Sequence, residues 1–343
     1  MTSLFRHLLA LVLACFAGAA GATVGLAELP AKADDGPVIV FYPSKTAAKT
    51  LRRGPFSFEL AWQGEAARGN GRLVVISHGS GGGPWVHADL ALALVRAGYV
   101  VVFPLHKGDN YRDPSHPGPS SWKLRPVEVS HAIDAVAADP RFAPLLQLDK
   151  VGMYGMSAGG HTALSLAGGA WSPALFKQHC DEALEADFYA CVGLATHARE
   201  GAWGAFKRGV AKLVIDLRFG DRTRYTHSDP RIAAIAAAVP FAADFDLATL
   251  AQPRVPLALL TAGHDLWLVP RFHAQRVLDV CKPCEHLAGL PEAGHGAYLS
   301  PQPPGLEGLE AELLMDPSAF DRRQLVQIDQ RVVSFFDRHL LRP

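Results

Sequence analysis

The chain has no excess of either charge. Lys+Arg and Asp+Glu number 33 each among 343 residues, and no block of like charge occurs. A nucleic-acid groove or a polybasic membrane patch needs such an excess, so neither is expected, and bulk electrostatics point to no partner. Cysteine is scarce as well, at five residues. The pair in "CKPC" (Cys281 and Cys284) lacks the second closely spaced pair that a zinc site wants. It also follows an expected helix, Phe272 to Val280, whereas a thioredoxin-type redox centre opens one. The phosphate-loop pattern G-x-x-x-x-G-K-[ST] is absent, as is G-x-G-x-x-G. No internal repeat or low-complexity tract interrupts the chain. The N-terminal apolar run, Leu8 to Ala20, falls short of the ~20 residues a membrane span requires.

That run has another meaning. Arg6 and His7 precede it and Ala20-Gly21-Ala22 closes it, the order of a secretory signal peptide cleaved after Ala22. The mature protein is then secreted or periplasmic, with no stable membrane span. "VLAC", ending at Cys15, has the look of a lipoprotein box but sits early, with apolar chain continuing past it. Without the signal four cysteines remain in an oxidising compartment, and structural disulfides are expected at Cys180–Cys191 and Cys281–Cys284.

Hydrophobic residues make up 49% of the chain, enough for a large core in one α/β domain with an insertion or in two small domains. Short unbroken runs bounded by Gly and Pro read as strands: "PVIVFYPS", "FSFELAW", "RLVVIS", "YVVVFP", "KVGMYGMS", "VPLALLTAG" and "EHLAGLP". Helical patterns lie between them, at His87 to Ala97, along Val129, Ile133 and Val136, at Ala158 to Leu166 and at Arg322 to Leu341. Leu105 to Trp122, rich in Pro, Gly, Ser and His, reads as a loop. The alternation implies a mostly parallel sheet with helices on both faces. It fails from Ala170 to about Pro230. The expected organisation is a core over 23–170, a mostly helical cap over 171–230, and the rest of the core over 231–343.

The chemistry gathers on "YGMSAGGHTAL". Gly155-Met156-Ser157-Ala158-Gly159 is G-x-S-x-G between an apolar strand and a small-residue helix. A serine at the apex of such a turn sits in strained backbone, where side chains two residues away collide; glycine avoids this. A serine hydroxyl needs a base to become a nucleophile. Among 15 histidines, His295 in "PEAGHGAY" follows the last expected strand and is flanked by glycines. His161, one turn along the helix from Ser157, points away from the hydroxyl and suits packing or the surface. His78 suits orienting its own loop, and His264 suits solvent. The base needs a carboxylate to fix its tautomer. Asp265, in "GHDLWLVP" at a strand's carboxyl end, is favoured. Asp244 and Asp246 in "FAADFD" are the alternatives, read as surface or cap-facing. The glycine-dense "HGSGGG" follows "LVVIS" and suggests an oxyanion loop, with the Ser80 and Ala158 amides as donors.

Together "VVISHGSGGG", "AGYVVVFPLHKGDN", "VGMYGMSAGGHTAL", "TAGHDLWLVP" and "PEAGHGAYL" resemble the α/β-hydrolase superfamily. They are most similar to a secreted bacterial branch described as predicted dienelactone hydrolases, related to plasma-type platelet-activating-factor acetylhydrolases. The likeness covers roughly residues 37–170 and 231–300. True dienelactone hydrolases use a cysteine nucleophile where this chain has Ser157, so the resemblance does not imply a dienelactone substrate. It implies the α/β-hydrolase fold, the order Ser157, Asp265, His295, and a short or oxidised acyl ester of a lipid-like alcohol. In the acetylhydrolases the acid can follow the preceding strand, which keeps Asp244 and Asp246 in view.

The expectation is a serine hydrolase cleaving carboxylic esters of small-molecule or lipid-like alcohols, with no metal or organic cofactor. A peptidase or amidase using the same triad is the nearest rival. A haloalkane dehalogenase would place Asp where Ser157 stands. A non-catalytic binding module of the same fold commonly lacks a triad member, and here every member is present.

Overall fold

The computed structural model describes residues 23–30, 34–193 and 201–342. The expected signal peptide lies outside the described residues. The strands are β1 (Thr23–Leu29), β2 (Val38–Ser44), β3 (Lys49–Arg53), β4 (Phe56–Trp62), β5 (Leu73–Ser77), β6 (Val100–Pro104), β7 (Val151–Met156), β8 (Ala170–Trp171), β9 (Ile232–Ala238), β10 (Phe245–Asp246), β11 (Leu257–Ala262) and β12 (Glu285–Leu290). The helices are α1 (Ala88–Arg96), α2 (Pro119–Ala138), α3 (Ala158–Leu166), α4 (Pro173–Ala183), α5 (Phe188–Val192), α6 (Gly201–Arg218), α7 (Ala274–Val280), α8 (Gly308–Leu314) and α9 (Leu325–Phe336).

Ten strands form one sheet in the order β12-β11-β9-β7-β5-β6-β2-β1-β4-β3. From β12 to β6 every neighbouring pair is parallel. Antiparallel pairing begins at β6 and β2. Every residue of β5, β6 and β7 is buried, as expected for strands covered on both faces, whose sequences are continuous apolar runs. Two clusters of core residues cover those faces. One joins the sheet to α1 and α9; the other joins it to α2, α3 and α7. The protein is therefore an α/β structure with a mostly parallel central sheet and helices on both sides.

One local expectation needs correction, and the structure adds strands that were not expected. The loop from Leu105 ends at Gly118, because α2 starts at Pro119 rather than after Trp122. Proline at the first helical position loses no hydrogen bond, and its fixed φ suits the helix. The strand β1 was not anticipated, nor was β3, whose mostly exposed sequence KTLRR pairs only with β4 at the sheet edge. Residues 171–230 contribute α4, α5 and α6, helical as expected. A short antiparallel pair, β8 with β10, ties the start of this segment to the core.

The chain passes from β5 to β6 on one side, then crosses back to β7 on the other side of β5. The direction of winding reverses there. The carboxyl ends of β5 and β7 thus flank the crevice in which open parallel sheets receive ligands.

Candidate active site

Ser157 stands at the carboxyl end of β7 and immediately precedes α3. Its backbone has φ 59 and ψ −118, outside the regions ordinary L-residues adopt. Such a conformation costs on the order of 1–3 kcal/mol and persists only where surroundings enforce it. Three backbone hydrogen bonds do so here. The Ser157 amide donates to Ala238 O at 3.1 Å, and Ser157 O accepts from His161 N at 3.0 Å and Phe241 N at 3.1 Å. The glycines two residues either side are sterically required. A Cβ on Gly155 would overlap the Gly159 carbonyl, and one on Gly159 would overlap the Ser77 carbonyl.

The 78–83 loop leaves β5 beside this turn; a Cβ on Gly79 would touch that of Ser157 at 3.5 Å. Ala158 opens α3, so its amide has no partner within the helix. Neither that amide nor the Ser80 amide hydrogen-bonds another backbone group among the described residues. Both remain able to donate.

A buried ion pair holds the loop. Arg125 Nη2 donates to Asp109 Oδ2 at 2.8 Å, both side chains fully buried. Arg125 Nη1 also donates to His78 O at 2.6 Å. Asp109 Oδ1 accepts from Ser80 Oγ at 2.5 Å and from the Gly81 amide at 3.1 Å. Burial works to raise the Asp109 pKa, but the guanidinium and these donors outweigh it and hold the carboxyl below its usual range. Beneath the loop, His106 bridges Ser77 Oγ at 2.7 Å and Glu128 Oε2 at 2.5 Å. Burial pushes His78 and His106 well below the usual imidazole range, with the Arg125 charge contributing to both. His78 Nδ1 bonds Gly79 O at 2.8 Å, in keeping with a loop-orienting role.

His295 begins a short helical turn, His295–Tyr298, in the loop after β12. Its Nδ1 lies 2.7 Å from Asp265 Oδ2, and both residues are buried. The other oxygen, Oδ1, accepts the amides of Trp267 at 2.9 Å and Leu268 at 2.7 Å. The Trp267 ring packs on the imidazole with centroids 5.4 Å apart. Ser157 Oγ hydrogen-bonds no described residue. Neither it nor His295 Nε2 is among the buried, unpartnered polar atoms; Ser157 lines the cavity described below, and His295 does not.

The alternative acids lie elsewhere. Asp244 is fully buried, not at the surface or facing the cap, and its Oδ2 meets His161 Nε2 at 3.1 Å. His161 is itself fully buried, boxed by Trp122, Trp171 and Phe245. Its packing role stands, but the surface option does not, because every residue of α3 is buried. Asp246 caps a short turn and pairs with Arg224 at 2.5 Å. His264 is exposed, as expected.

A cavity of about 470 Å³ opens on Ser157, Ala158 and Ser80. Trp122, Phe176, Phe241 and Trp267 form its inner wall, and Phe206, Val210 and Val214 of α6 its outer wall. Disulfides join Cys180 to Cys191 and Cys281 to Cys284. The Asp109–Arg125 brace was not foreseen. Asp109 sits within a stretch that carried the resemblance, whereas nothing in the sequence marks a mid-helix arginine as buried. No protein-family model matches the chain, and no curated protein matches it in sequence. Among the described residues no helix is long and apolar enough to cross a membrane.

Proposed function

We propose that this chain is a serine hydrolase of the α/β-hydrolase fold that cleaves carboxylic esters through an acyl-enzyme. The observation that carries the reading is the strained Ser157 turn (φ 59) at the winding reversal of the sheet, next to two unpaired amides. Strain of this kind is maintained where function uses it. In the proposed reaction Ser157 Oγ attacks the ester carbonyl while its proton passes to His295 Nε2. Asp265 holds the Nδ1 proton and stabilises the imidazolium, and the Ser80 and Ala158 amides receive the developing oxyanion. The proton then goes to the departing alcohol. Water, deprotonated by the same imidazole, releases the acid and restores the serine.

The apolar, aromatic walls of the cavity favour an ester with a bulky apolar portion, consistent with the lipid-like alcohols that the resemblance implies. The two disulfides suit an oxidising compartment, so secretion or periplasmic residence belongs to the same proposal. A fluorophosphonate probe should label the purified protein at one site per chain, and Ser157→Ala should abolish labelling. A series of aryl esters of increasing acyl length, run beside peptide substrates, should show ester turnover only. Labelling that survives Ser157→Ala refutes the assignment.

A further inference from the structure

The segment 171–230 contains a buried carboxylate that the reaction above does not use. Asp187 precedes α5, between Cys180 and Cys191, and its side chain is 0% exposed. Its Oδ2 accepts from His179 Nε2 at 2.8 Å and from His273 Nε2 at 2.9 Å. Its Oδ1 accepts the Val269 amide at 3.3 Å. The His273 tautomer is fixed from the far side, where the Ala242 amide donates to Nδ1 at 3.0 Å. The ring proton therefore sits on Nε2 and faces Asp187. Burial opposes the charge, yet the hydrogen bonds from His179 and His273 prevail and hold the carboxyl down to about 2.

Three consecutive amides are thus divided between two carboxylates. Those of Trp267 and Leu268 go to Asp265, and that of Val269 goes to Asp187. Peptide planes are rigid, and neighbouring planes share a Cα, so an amide released at 269 lets the planes before it tilt. Trp267 and Leu268 also line the cavity, and Trp267 packs on His295. We propose that Asp187 is a positioning residue for Asp265, holding the 267–269 segment so that Asp265 and Trp267 keep His295 in its working orientation. The inference rests on the reading of Ser157, His295 and Asp265 as the catalytic groups. It makes the 171–230 segment part of the active-site support as well as the pocket wall.

Asp187→Asn tests it with almost no change in volume. The new NH2 group must face either the Val269 donor, which loses one contact, or the two histidine donors, which loses two. The expected result is a roughly tenfold to hundredfold fall in kcat on a neutral aryl ester, with KM changed far less. The acid limb of the kcat/KM profile should also move, because Asp265 governs proton binding at His295. His179→Ala removes one of the three donors and should move the limb in the same sense by less. It serves if Asp187→Asn does not fold. A normal kcat and an unmoved acid limb in the folded variant, with only a lowered melting temperature, overturn the positioning role. Wild-type protein that neither labels with fluorophosphonate nor cleaves any ester overturns the catalytic reading itself, and the two failures are therefore distinct.

Discussion

Replacing Asp265 by Asn tests the proposed acid more sharply than usual, because the structure dictates which way the new side chain faces. Asp265 Oδ1 accepts two backbone amides, from Trp267 and Leu268. An asparagine there must keep its oxygen toward those donors, since an NH2 group would leave both unsatisfied. Its nitrogen is then forced toward His295 Nδ1, where Oδ2 now lies at 2.7 Å. Facing a donor, Nδ1 must act as acceptor, so the ring proton moves to Nε2, the atom that has to be bare to take the serine proton. The fold should survive, because the contacts change by one hydrogen-bond polarity at constant volume.

The expected loss in kcat is roughly 10³- to 10⁴-fold, by analogy with other triads held in the wrong tautomer. That corresponds to about 4–5.5 kcal/mol of transition-state stabilisation. Asp246→Asn should cost little, since Asp246 is partly exposed and pairs with Arg224. Asp244→Asn should act on stability instead, because Asp244 and His161 are buried together with His161 Nδ1 and Asp244 Oδ1 unpartnered. All three variants should be assayed on one aryl ester at saturation, with thermal melts as the folding control. If Asp265→Asn retains a tenth or more of the wild-type rate while folded Asp244→Asn or Asp246→Asn does not, the acid is misplaced and the tautomer argument fails.

Arg125→Met should cost roughly 3–5 kcal/mol in urea unfolding, because it strands the buried Asp109 charge; a loss within error refutes the brace as described. Burial drives His87 down to about 4 from 6.5, and its Nε2 has no partner. As its folded value is depressed, the stability it permits is complete above pH 6.5 and falls as pH drops toward 4, by up to about 3 kcal/mol. Asp329, raised to about 7 mainly by burial, opposes this trend, so the comparison must be a difference. The stability of His87→Phe relative to wild type should rise steadily between pH 6.5 and 4, and a flat difference in chemical denaturation would contradict the assignment.

The Ser157 turn was legible because its steric demands fall on residues two positions away, where the sequence must answer with glycine. Asp265 and His295 stood out because each follows an apolar run, and chain order then groups them at one end of the sheet. The contacts that went unforeseen had no such local signal. Asp109 and Arg125 are 16 residues apart, and Asp187 reaches His273 across 86, so no window of sequence shows either contact. Gly118-Pro119 reads as a loop by composition, yet proline is also at home in the first turn of a helix. Asp244 was misplaced for a different reason. Hydrophilic residues are mostly exposed, and a buried one is betrayed only by its partner, here a histidine 83 positions away.

Three of these buried carboxylates solve one problem. Loops at the carboxyl ends of parallel strands carry backbone groups with no ladder to satisfy them, and a buried amide without an acceptor is costly. Asp109 accepts from Gly81, Asp265 from Trp267 and Leu268, and Asp187 from Val269. Each carboxylate in turn has a fixed cation or imidazole beside it: Arg125, His295, and the pair His179 and His273. The loops are thereby ordered without secondary structure, while the Ser80 and Ala158 amides beside Ser157 keep their donors free. An oxyanion forming there would meet dipoles already oriented, which is the condition under which such donors act most strongly. The charges that fix the loops are spent on backbone groups, and the space above Ser157 is lined mainly by apolar and aromatic side chains, with Lys207 and Arg218 the charged members of its wall. In the proposed reaction, polar recognition of the carbonyl and apolar recognition of the rest of the ester would then arise from one arrangement.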